Sequence, residues 1–210
     1  MSGFRHMRYR IIYIFVICLA KKRERPENAV RRKDREVLNR EEITDILSRC
    51  STLRIGMQGE DYPYVVPVSF GLDTEGEKPA VYFHSAKQGM KISMLQQSRK
   101  LCVEGDIFMG IEKTAHGITA RYESVIGFGT GGFVDAPEEV LKGLGLILEH
   151  YGYSDYPLDG CMGLEHVLIG KIVLETLTGK RNLPDSPAAK DMEAETANSK
   201  AGQTDESDGI

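Results

Sequence analysis

His84, Ser85, Lys87 and Lys91 lie within eight residues of one another in the stretch VYFHSAKQGMKISMLQ (81–96), where a strand pattern passes through a short polar turn into a helix pattern. The first turn of a helix presents unpaired N–H groups and a partial positive charge, so it attracts anions. With a helix over about Gln88 to Gln97, Lys87 and Lys91 are four apart on one face, and with the Ser85 hydroxyl they would form a phosphate site that lacks a Walker sequence. The same residues also suit a plainer arrangement, in which Ser85 caps the helix and the lysines face solvent. His84 is the candidate catalytic residue. A neutral imidazole donates and accepts a hydrogen bond, which fits a contact to a bound ring or a substrate, and equally a histidine that fixes the turn.

Such a junction needs a scaffold on both sides. Upstream, YVVPVSFGL (64–72) alternates at period two. Tyr64, Val66, Val68, Phe70 and Leu72 share a core face, while Val65, Pro67, Ser69 and Gly71 share a face small enough for a ligand to lie against. Pro67 predicts an edge strand, or a ladder interrupted for a ligand. DTEGEKP is a hairpin turn leading into AVYFHS. Asn39, with Glu42 three positions on, predicts a capped helix that ends near Cys50 and carries Ile43, Ile46 and Leu47 as its stripe. TLRIGMQ and KLCVEGD add strand content, and the glycines of ARYESVIGFGTGGFVD predict a bulge or a close backbone approach. Asp135 with Glu138 predicts the start of a second long helix, and HVLIGKIVLETLTG a last strand. Three helices are too few for a doubly wound parallel sheet, so the expected class is mainly β (α+β), an antiparallel barrel with peripheral helices.

The 210 residues suffice for one domain. A net charge of −4 gives no electrostatic case for nucleic acid. Cys18, Cys50, Cys102 and Cys161 form no C-x-x-C pair, which reads as reduced thiols in a cytoplasmic protein, and the scattered histidines, His150 and His166 among them, predict no metal site. The apolar run IIYIFVICLA has ten residues, about half of what spans a bilayer, so no membrane span is expected. Residues 1–30 read as an extension outside the domain, with Val30 as an alternative start. Residues 31–183 read as the folded body. From Pro184 onward (184–210) the chain is rich in Ala, Ser, Asp and Glu and reads as a disordered tail. Within the body, Glu123 is expected in a structural ion pair, and Glu104 and Asp106 exposed or paired with lysine.

RRKDREV, YPYVVPVSF, VYFHSAKQGMK and RYESVIGFGTGGFV follow one another in the order seen in the nitroimidazole-resistance (Nim-type) branch of the pyridoxamine 5′-phosphate oxidase-like FMN-binding split-barrel superfamily, and the chain resembles that branch over the whole of residues 31–183. The resemblance implies a six-stranded split β-barrel that forms a homodimer, with FMN in clefts between the subunits. By position, Ser85 and Lys91, with Lys87 in support, would hold the FMN phosphate. The backbone of Val66, Pro67, Val68 and Ser69 would lie along the isoalloxazine ring, near His84 and the segment of Tyr122 and Ser124, Tyr122 fitting the barrel core equally well. Met90 stands where the oxidases carry a phosphate-binding arginine, and the substrate residues of the true oxidases are missing. The implied function is therefore an FMN-dependent oxidoreductase acting on a small organic molecule, a nitroimidazole or nitroaromatic being the candidate. The alternative is a non-catalytic flavin- or haem-binding module on the same barrel.

Overall fold

The computed structural model describes residues 30–115, 117–158 and 167–184. The N-terminal extension and the tail therefore fall outside the described residues, except for Val30 and Pro184, as do Cys18, Cys161 and His166. The fold that follows lies within one unit, which begins at Arg32.

After a 3₁₀ turn (Lys33–Arg35) and the two-residue strand β1 (Glu36–Val37), Asn39 starts helix α1 (Arg40–Arg49). The Asn39 side chain accepts hydrogen bonds from the amides of Glu41 and Glu42, which satisfies two of the donors a helix start leaves open. Helix α1 buries the expected Ile43, Ile46 and Leu47. Period-two sequence then yields β2 (Leu53–Met57), with Leu53, Ile55 and Met57 buried, followed by β3 (Tyr64–Val68), β4 (Phe70–Asp73) and β5 (Ala80–Ala86). Helix α2 (Met90–Gln97) is followed by a long hairpin of β6 (Lys100–Thr114) and β7 (Gly117–Val134), then by α3 (Pro137–His150) and β8 (Val167–Asn182).

All strand pairs are antiparallel, in the order β3-β2-β6-β7-β8-β5-β4, with β1 added to β8. β3 and β4 stand at opposite ends of that order, yet only Ser69 separates them in the chain. The sheet must therefore curl until its two ends meet, which makes a barrel split at Ser69. Eight strands are present among the described residues. The expected six remain when the short β1 is set aside and the broken run 64–73 is counted once.

Val81, Phe83, Val103, Val125, Ile172 and Leu174 fill the barrel together with the α1 stripe. A second cluster, Ala80, Tyr82, Ile147 and Ile169, forms where α3 covers the outside of β5 and β8. The predicted irregularity in β7 is a register shift between Phe128 and Gly129, and a Cβ on Gly129 would lie 2.2 Å from the Val173 carbonyl oxygen. The predicted cap of α3 is not made. Ala136 holds the N-cap position and provides no side-chain bond, because Pro137 fixes the first helical residue one place later than Asp135 would need. The ion-pair expectation for Glu123 holds: it is buried, with Arg49 Nη1 2.7 Å from its carboxylate. Glu104 and Asp106 pair with an arginine instead of a lysine, at 2.9 and 2.5 Å from Arg54 Nη1.

Candidate functional site

Phe70 pairs with Phe83, so Ser69 and His84 each lie one step beyond that pair on the same side of it. Alternation puts Val65, Pro67, Ser69 and His84 on the outer face, where all four are exposed. Val66, Val68, Phe83 and Ser85 point the other way, with Val68, Phe83 and Ser85 buried. His84 and Ser85 are thus on opposite faces of β5. As Pro67 predicted, β3 ends the strand order and has an unpaired edge. The small face is shorter than the sequence implied. Gly71 is buried under α3, and a Cβ there would meet the Leu146 carbonyl carbon at 2.4 Å, so the open surface stops at Ser69.

Beyond Ala86 the chain turns through Lys87, Gln88 and Gly89. Gly89 is the N-cap of α2 with φ 127°, a left-handed conformation suited to glycine, and no side chain caps the helix. The helix begins at Met90, not near Gln88. Ser85 is consequently a strand residue and not a cap, and Lys87 lies in the turn, exposed, and not on a helical face with Lys91. Lys91 is half-buried, its Nζ 5.3 Å from the centre of the Phe83 ring. Burial pushes its ammonium pKa below the ordinary lysine value, and no carboxylate pairs with it among the described residues. No hydrogen bond from another described residue engages the Ser85 hydroxyl. An uncapped helix start, the unbonded hydroxyl of the buried residue Ser85 and a partly desolvated ammonium are groups whose chemistry suits an anion such as a phosphate.

Two predicted members of the site are elsewhere in the chain. Val134 pairs with Ile169, whose other neighbour is His84, whereas Tyr122 pairs with Asn182 and Ser124 with Lys180. Twelve residues of β7 separate Tyr122 from the His84 row and ten separate Ser124, roughly 33–40 Å along the strand at ~3.3 Å per residue. One chain therefore does not bring Tyr122 and Ser124 to Ser85 and Lys91. Burial pushes the Tyr122 phenol up, but Lys180 and Arg35 outweigh it and leave its pKa below the usual value. Nearby, the β6–β7 hairpin exposes Phe108 (63%), Ile111 (65%) and Ile118 (78%).

Two residues at the site were missed in the sequence. At the end of α3, the Tyr151 hydroxyl accepts from the Phe70 amide at 3.3 Å and donates to the Ser51 carbonyl at 2.9 Å. His150 Nε2 is 2.9 Å from the Cys50 carbonyl oxygen, and its ring centre is 4.3 Å from that of Phe70. The only signal was the HYG that closes the helix pattern. A cavity of about 540 Å³ between α1, β4 and α3 is lined by residues such as Asp73, Lys142, Glu149 and His150, and by none of the predicted site residues. Among the described residues no cluster of His, Cys, Asp and Glu could hold a metal, and no helix is long and apolar enough to cross a membrane.

The family model described as pyridoxamine 5′-phosphate oxidase matches residues 39–181. The chain belongs to that family. Among the curated proteins, none matches this sequence. Among solved structures, a candidate 5-nitroimidazole antibiotic resistance protein from Bacteroides thetaiotaomicron is 25% identical, with a TM-score of 0.62, covering 69% of this chain and 85% of that one. The flavocytochrome Anf3 from Azotobacter vinelandii is 14% identical, with a TM-score of 0.62 and coverage of 79% and 82%. The FAD and haem binding protein from Mycobacterium smegmatis is 15% identical, with a TM-score of 0.60 and coverage of 76% and 80%. The last two share the fold of the pyridoxamine 5′-phosphate oxidase family with this chain; the first shares fold and a quarter of its residues.

Proposed function

We propose that this chain binds FMN and uses it to oxidise or reduce a small organic molecule, with nitroimidazoles or other nitroaromatics as the substrate class. The observation that carries the reading is Lys91, a half-buried ammonium in the first turn of the uncapped α2, over the Phe83 ring and without a carboxylate partner among the described residues. A phosphate would supply the missing counter-charge. Similarity to the Bacteroides protein supports the nitro-compound class. Ser85 and Lys91 hold the phosphate, with Lys87 within the same turn, and the stretch Val66–Ser69, through its exposed Pro67 and Ser69, offers with His84 a surface for the ring. Bound there, the flavin supplies the redox chemistry, and the chain's residues anchor, orient and shield it.

The working unit in this proposal is a homodimer in the cytoplasm. Tyr122 and Ser124 stand far from Ser85 within one chain, so a second copy would have to deliver them to the site. The exposed apolar residues of the hairpin would be covered in the same contact.

The test is the absorbance spectrum of protein purified without added cofactor, followed by addition of reduced nicotinamide and then a nitroimidazole. Flavin bands that the donor bleaches and the nitro compound restores are expected. Yellow protein that no donor reduces would favour a binding module, and a haem spectrum would overturn the cofactor assignment.

A further inference from the structure

Side chains at the end of α3 span the split in the barrel, His150 between the Cys50 carbonyl and the Phe70 ring and Tyr151 between the two strands' backbones. Ser51 leads into β2, whose Leu53 pairs with Val68 at the end of β3, while Phe70 opens β4 at the other end of the strand order. Tyr151 Oη bonds both, taking the Phe70 amide proton and giving its own to the Ser51 carbonyl. Ser69, between Val68 and Phe70, is the hinge of the split and the last residue of the open small face. Two further contacts hold the end of α3 against the same point: the His150 ring on Phe70 and the Leu146–Ile147 backbone over Gly71. Tyr151 as a residue is 37% exposed and belongs to no core cluster, so its hydroxyl geometry is not required for burying apolar surface.

We infer that Tyr151 is a positioning residue for the ring-bearing segment: its hydroxyl fixes the backbone of Val66–Ser69 as a ready surface for the flat part of the ligand. The inference rests on the flavin reading above. It also predicts a signature distinct from that of the phosphate end. Loss of the splint loosens the surface under the ring, which FMN and riboflavin share, so both lose affinity together.

The experiment uses the full chain with Tyr151→Phe, which keeps the ring and removes only the hydroxyl. Backbone amide exchange at Phe70 is measured without ligand, and FMN and riboflavin are titrated separately. Losing one neutral hydrogen bond corresponds to a factor of about 2 to 13. Exchange at Phe70 is expected to quicken by that factor, and both flavins to weaken by a similar one. Unchanged exchange at Phe70 would overturn the splint itself. Quicker exchange with unchanged flavin affinities would overturn its positioning role while leaving the flavin reading intact, and so would a loss confined to FMN. Wild-type protein that binds neither flavin would overturn the flavin reading and this inference with it.

Discussion

At the scale of the residue, charge and exposure sort the site from its supports. His84 is exposed on the outer face beside Ser69, so replacing it should cost little stability, within about 0.5 kcal/mol. If it contacts the flavin or the substrate during turnover, His84→Ala lowers the rate at least about tenfold, the equivalent of about 1.4 kcal/mol in the barrier. Stopped-flow flavin reduction and reoxidation, paired with urea unfolding, checks both halves; an unchanged rate would return His84 to the turn. Arg49 and Glu123 present the opposite case. Glu123 is buried, and Arg49 is its partner at 2.7 Å from a side chain that is itself 44% exposed. Arg49→Ala leaves a buried carboxylate without its cation and is expected to cost about 1–3 kcal/mol in urea unfolding, with flavin affinity unchanged. The sequence made this pair legible only as an expectation for Glu123. Its partner lies far away in the chain, and no local pattern names it.

At the scale of the element, what could be read locally was read well. The alternation 64–72 named the buried and exposed faces of β3 because one face is core and the other open, which fixes the register of a strand. Asn39 marked the start of α1 because a cap acts within three residues. What failed was non-local or decided by a neighbour one residue away. The cap of α3 moved from Asp135 to Ala136 because Pro137 is pinned at the first helical position. Gly71 was assigned to the open face, but α3, some 75 residues later in the chain, lies on it. That contact is testable: a Cβ 2.4 Å from the Leu146 carbonyl carbon must displace helix backbone, so Gly71→Ala is expected to destabilise by about 1–3 kcal/mol or more, read as a lowered unfolding midpoint. Wild-type stability would mean that α3 does not seat there. A further tie between β4 and α3 is electrostatic. Burial raises the Asp73 pKa, but the Lys142 ammonium at 2.8 Å and the Glu75 amide outweigh it, and the net shift is downward. A carboxylate whose folded pKa lies below its unfolded value of about 4 contributes stability above that value and loses it as pH falls through the folded pKa. The difference in unfolding free energy between wild type and Asp73→Asn should therefore be present at pH 6 and shrink below about pH 4. An equal difference at both would show that the carboxylate charge is not what ties the elements.

At the scale of the whole molecule, the family and the split barrel were legible from four short motifs in order, because each marks a different strand or turn of one architecture. The separation of Tyr122 and Ser124 from Ser85 was not, since a linear motif order does not say how far a strand carries its residues. A second copy would reconcile the two, and in the proposed homodimer the exposed hairpin residues would be its contact surface. Phe108→Asp should convert a dimer into a monomer by light scattering at micromolar concentration and release flavin; a wild-type monomer that still binds flavin would contradict the homodimer. The central claim is that Lys91 holds a flavin phosphate, and it is tested most directly by titrating FMN and riboflavin against wild type and Lys91→Ala at one fixed salt concentration. A charge-assisted bond contributes about 1.5–3 kcal/mol, so the substitution should weaken FMN roughly 10- to 150-fold and leave riboflavin unchanged. Equal losses for both ligands, or no loss for either, would contradict it.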